Sequence, residues 1–98
     1  MSHQDLADAL RVAVAADTGV TDASLRTAIA AGSPVAEPYD TLARQIRDAS
    51  HRVTDAEVAA VRDAAGSDKA AFEIVMSACV GAGLQRWDAF REAIDAAG

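Results

Sequence analysis

The sequence predicts an all-α fold of about five helices. Apolar residues recur at intervals of three and four along most of the chain. No segment alternates with the period of two that marks a half-buried strand. Helix-start and helix-stop residues punctuate the chain at distances that fit four short helices and one long one.

The first helix is expected over residues 4–16, QDLADALRVAVAA, where Leu6, Leu10, Ala13 and Val14 share one stripe at helical spacing. Asp5 and Asp8 sit near its start, where negative charge complements the helix dipole. DTGV breaks it. A second helix begins in Val20-Thr21-Asp22-Ala23-Ser24-Leu25, with Thr21 as expected N-cap and Val20 stapled onto Leu25. It ends near Ala31, with Gly32 on the C-cap side and Pro34 soon after. GSPVAEP reads as a linker by composition. A third helix runs from about Pro38, a residue suited to the first turn, to Ser50. Tyr39, Leu42, Ile46 and Ala49 form its buried stripe, and Arg44, Arg47 and Asp48 lie off it.

Thr54-Asp55-Ala56-Glu57 is a capping box, with Val53 and Val58 as the matching staple. The fourth helix it opens stops at Gly66, and Ser67 or Asp68 caps the fifth. That last helix carries Phe72, Val75, Met76, Cys79, Val80, Leu84, Trp87, Phe90 and Ile94 at spacings of three and four. Unbroken to residue 96 it would be about 43 Å long, in a domain whose expected radius is ~13 Å. Either Gly81 and Gly83 kink it into two pieces, or its end leaves the domain to meet a partner. The chain is read as one helical domain, 1–98, made of an N-terminal helical pair (1–36) and a helical core (37–98). Residues 1–36 either complete that core or clasp a neighbour.

Composition narrows the function. The chain has 98 residues, and although 51% are apolar, much of that is alanine, which contributes little buried area per residue. Its four aromatics are Tyr39, Phe72, Trp87 and Phe90. Burial shared between subunits is a natural remedy for so small a core. The net charge of −6 argues against a nucleic-acid binder, which needs clustered cations, and against an anionic membrane surface. A single cysteine leaves no internal disulfide. MSHQDLADAL lacks the basic start and apolar stretch of a signal peptide, and no apolar run approaches the ~20 residues that span a bilayer. The expected location is the cytoplasm.

HRVTDAEVAAVRDAAGSDKAAFEIVMSACVGAGLQRWDAFREAI, residues 51–94, resembles the C-terminal part of the AhpD-like family, the alkylhydroperoxidase and carboxymuconolactone decarboxylase group. The resemblance rests on Val53-Thr54-Asp55, Val58, Val61-Arg62, the Gly66-Ser67 break, Phe72-Glu73-Ile74 and the small-residue stretch from Ala78 to Leu84. It covers a little under half the chain. It implies an all-α scaffold whose protomers assemble into dimers, trimers or rings. The family's peroxidases use a Cys-x-x-Cys pair with a nearby histidine, in which the second thiol resolves the sulfenic acid formed on the first. This chain has no such pair, and Cys79 matches neither family cysteine. The resemblance therefore implies the scaffold without the peroxidase chemistry.

Three residues are candidates for chemistry. Cys79, among Met76, Val80 and Gly83, is expected to be a small buried thiol in the core or at an interface; as a redox nucleophile it would need access and a lowered pKa. His51, at the end of the third helix, is a candidate general base, or a cation placed favourably at a helix C-terminus. Its only possible histidine partner in a metal site is His3, expected on a flexible terminus. Glu73 is either a pocket carboxylate with a raised pKa, suited to acid–base work, or a surface glutamate. Gly81 and Gly83, with Ala78 and Ala82, look like a surface that lets another helix approach closely. Trp87 and Phe90, with Ile94, are expected to form an exposed patch at the end of the last helix and, with Leu84, to anchor an interface; intramolecular core is the competing reading for Trp87, Phe90 and Ile94. Arg44, Arg47 and Arg52 form a modest basic strip, either solvated or paired with an acidic partner.

No phosphate loop, zinc spacing or serine nucleophile elbow occurs, so no cofactor or metal is expected. The favoured reading is a non-catalytic, degenerate AhpD-like module, an oligomerising or accessory subunit of a larger protein assembly. The alternative is a small enzyme using Cys79 for peroxide reduction, or His51 and Glu73 for acid–base chemistry between protomers.

Overall fold

Capping chemistry sets the helix boundaries. The structure is a computed structural model and describes residues 2–97. It contains α1 (His3–Ala15), α2 (Ala23–Ala31), α3 (Tyr39–Ala49), a 3-10 turn (Ser50–Arg52), α4 (Asp55–Ala65) and α5 (Asp68–Ala97), and no strand among the described residues. The Thr54 hydroxyl accepts from the Glu57 amide at 3.2 Å, and the Thr54 amide donates back to Glu57 at 3.0 Å. This is the reciprocal box that the sequence predicts. A second box opens α1, where Ser2 and Asp5 exchange the same pair of bonds. α2 is capped by Asp22, whose carboxylate accepts from the Ser24 amide at 3.1 Å. The expected cap, Thr21, is engaged elsewhere. Pro38 occupies the N-cap position of α3, just ahead of the first turn. Ser67 caps α5, its hydroxyl accepting from the Ala70 amide at 3.1 Å. α2 and α4 both end on glycines in the left-handed region, Gly32 at φ 76° and Gly66 at φ 99°.

Leu42, Val61 and Ile74 are the largest fully buried side chains, and Ile29, Ala43, Ile46, Ala71 and Ala78 complete the cluster around them. Tyr39, Val53 and Val58 pack on its edge. Ile29 brings α2 into this core, so part of the N-terminal pair completes it. The centre of the packing is α5, which meets α1, α2, α3 and α4.

α5 is one unbroken helix of 30 residues, about 45 Å long at 1.5 Å per residue, and the molecule measures 48 × 30 × 20 Å. Gly81 and Gly83 do not break it. Gly81 is buried in the seam with α2, where an added Cβ would lie 2.2 Å from the carbonyl oxygen of Ala30. The glycine permits helix contact, and the helical backbone continues through it.

The apolar stripe of α1 is not the face that it buries. Leu6 and Leu10 are exposed, as is Ala13, and Val14 is only half-buried. The residue α1 buries is Ala7. α1 lies at the margin of the molecule and approaches it through small and polar side chains. Arg11, which pairs with Asp88 of α5 at 2.9 Å, is among them. Its leucines therefore face outward beside α5.

Candidate functional site: the outward face of α5

α5 is apolar on two opposite sides. Its core side is built from small residues and one isoleucine: Ala70, Ala71, Ile74, Ser77, Ala78, Gly81 and Ala82 are buried. Between them, again at spacings of three and four, run Phe72, Met76, Val80, Gly83, Trp87, Phe90 and Ile94. Spacings of this kind keep side chains on one face of a helix. Small residues inward let neighbouring helices approach closely, and this leaves the large side chains outward. Phe72 is 63% exposed, Phe90 58%, Ile94 53% and Met76 41%. Every residue from Asp88 to Ala97 is exposed, so the last turns of α5 have no cover.

Beside the middle of this face, α1 and α5 form an open apolar groove of about 480 Å³, with Leu6 and Leu10 on one wall and Val80, Gly83 and Trp87 on the other. A second depression of about 430 Å³ continues past Leu10 toward Met76 and Phe72. Trp87 is held in place. Its ring meets His3 edge-on at 5.7 Å between centroids, its Nε1 donates to Gln4 at 3.3 Å, and Phe90 lies 6.2 Å away. His3, expected on a flexible terminus, is thus the first residue of α1 and part of this wall.

Cys79 is exposed and lines the same groove, so the expectation of a buried thiol is corrected for the single chain. The reason is its position on α5: Ala78 and Ala82 beside it take the inward places.

Glu73 is neither of the things the sequence suggested. Its carboxylate accepts from the Thr21 hydroxyl at 2.6 Å and from the amides of Thr21 and Val20 at 2.9 Å each, and lies 3.5 Å from Arg26. The Thr21 hydroxyl, then the Val20 and Thr21 amides, hold its pKa down at about 2; burial opposes them, and the Arg26 charge adds the smallest lowering. A carboxyl lowered this far is no proton donor near neutrality. Arg26 is buried and was not singled out from the sequence. Its Nε donates to the carbonyl of Val14 at 3.0 Å, and its other nitrogens reach the carbonyls of Ala16 and Thr21. Together Glu73 and Arg26 fasten the end of α1, the loop after it and α2 to α5. Gly19 fits because any Cβ there would lie 2.6 Å from the Glu73 carboxylate.

The remaining candidates are scattered. His51 is exposed in the 3-10 turn. Arg44 pairs with Asp40 one turn earlier at 2.9 Å, and Arg47 with Asp48 at 3.2 Å. The backbone carbonyl of Arg52 accepts from Gln45 at 3.3 Å. Leu84 is half-buried on the groove wall. Among the described residues no group of three His, Cys, Asp or Glu side chains is placed to hold a metal ion, and no helix is long and apolar enough to cross a membrane.

Comparison of the chain with family models, with curated proteins and with solved structures finds no match.

Proposed function

We propose that this chain is a non-catalytic helical interaction module, an oligomerising or accessory subunit whose outward α5 face is covered by another α-helix in the working protein. The observation that carries this reading is the second apolar face of α5. Six large side chains, Leu6, Leu10, Phe72, Met76, Phe90 and Ile94, are between 37% and 63% exposed. At ~200 Å² per large side chain they leave roughly 600 Å² uncovered. A patch of that size is at the upper end of what monomers leave open. Its form, two apolar rails flanking a groove, suits an amphipathic helix laid along it. On this reading the AhpD-like resemblance concerns the scaffold, and assembly is the property retained.

The test is the pair of variants Phe90→Asp and Ile94→Asp. Both residues are exposed and lie outside the core, so helical content by circular dichroism is expected to be kept, and the unfolding midpoint to match that of wild-type protein diluted until it is dissociated. The native mass of the gently purified assembly is expected to fall. An unchanged assembly would overturn the reading.

A second reading keeps one observation of its own: Cys79 is accessible in a groove that also holds His3. On that reading the thiolate reduces a hydroperoxide and is restored by an external thiol. A Cys79→Ala protein that consumes peroxide at the wild-type rate would remove it.

A further inference from the structure

The occupant of the α5 face can be argued further from one residue the monomer does not explain. Gly83 stands in mid-helix, where glycine is less favourable than alanine because it gives up more backbone freedom. Gly81 is required by the Ala30 backbone, but an added Cβ at Gly83 would meet nothing within 4 Å. No turn or contact within the chain calls for a glycine there. Its place is the middle of the outward face, with large apolar residues on both sides. A glycine so placed fits the close approach of a second helix.

The two outer pairs of large residues on this face are placed symmetrically about Gly83. Phe72 lies eleven residues before it and Ile94 eleven after; Met76 lies seven before and Phe90 seven after. An antiparallel copy of α5 crossing at Gly83 would set Phe72 against Ile94 of the second copy, and Met76 against its Phe90. A two-fold interface requires this self-complementarity, whereas an unrelated partner does not. With roughly 600 Å² from the large side chains alone, plus Trp87, Val80 and the backbone at Gly83, the area approaches the ~800 Å² per partner of a stable interface.

We propose that the outward face of α5 binds a second copy of this chain in a two-fold antiparallel dimer whose axis passes at Gly83, with the α1 leucines flanking the crossing. This rests on the interaction-module reading and names its occupant.

Cross-linking tests it with the full chain. The double variant Gly83→Cys, Cys79→Ala is expected to form a disulfide-linked dimer under mild oxidation, because the two thiols face each other on the axis. The wild type is expected to dimerise without cross-linking. In the antiparallel pair the two Cys79 residues are separated by eight helical rises, about 12 Å, beyond the ~7 Å between Cα atoms that a disulfide tolerates. Gly83→Gln is expected to keep wild-type helicity and to weaken dimerisation at least tenfold. A wild-type dimer that links through Cys79, or one whose Gly83→Cys form does not link, overturns the antiparallel register. A chain that is monomeric at all concentrations overturns the second copy as occupant. Neither result removes the interaction-module reading, which fails separately if the α5 face is uncovered in protein taken from its own host.

Discussion

At the scale of single residues, the most consequential contact is one the sequence hid. Arg26 has nothing in its surroundings, ASLRTAIAA, to distinguish it from a solvated arginine, and Glu73 looked like an ordinary or a catalytic carboxylate. Only tertiary structure brings them together around Thr21. Glu73→Gln removes the charge facing a buried guanidinium and is expected to lower stability by about 3 kcal/mol in chemical denaturation. The pH dependence follows from the lowered carboxyl. Between the ordinary value of 4.5 and about 2, the unfolded chain binds a proton at Glu73 that the folded chain does not. The stabilisation is therefore complete above pH 4.5 and lost as pH falls through that window. The variant is expected to show a shallower loss of stability across the same range. Cys79 offers a second residue-level test. Its thiol is exposed in one chain and lies on the proposed interface, so thiol-reagent labelling is expected to slow as protein concentration rises. Labelling at a constant rate across the dimerisation range would place Cys79 outside the contact.

At the scale of elements, the helices were legible because their ends are written locally, in Thr54 and Glu57, Gly32, Gly66 and Ser67. The failures have a common physical origin. Periodicity shows that a face is apolar but not which body covers it. Leu6 and Leu10 mark the apolar stripe of α1, yet the helix docks through Ala7. α5 carries two apolar stripes, and the inward one is the stripe of small residues. That contrast between Ala70–Ala82 and Phe72–Ile94 was present in the sequence as large and small residues on opposite sides of one helix. The two glycines of α5 now separate. Gly81→Leu is expected to destabilise the fold itself by several kcal/mol, since its side chain would run into the Ala30 backbone. Gly83→Ala is expected to raise the stability of the monomeric chain by up to about 1 kcal/mol and to weaken association. Thermal unfolding in dilute and concentrated protein distinguishes the two effects.

At the scale of the whole molecule, a 98-residue chain folds around three fully buried large side chains, Leu42, Val61 and Ile74, and sends the end of its longest helix beyond them. So small a core gains from burial shared with another chain, and the longest run of exposed large apolar side chains lies along the outward side of α5. Alanine content and small size are the sequence features that suggest burial shared with a partner. The site was legible only in part, since Trp87, Phe90 and Gly83 were singled out but Phe72, Met76, Leu6 and Leu10 were not. The most direct test is amide hydrogen exchange of α5 in protein purified gently from its own host, compared with the Phe90→Asp, Ile94→Asp double variant. If the outward face is covered, amides from Leu84 to Ala97 exchange slowly in the wild type and at rates near those of a frayed helix end in the variant. Equally fast exchange in both would mean that the end of α5 stands free in solution, and would contradict the account.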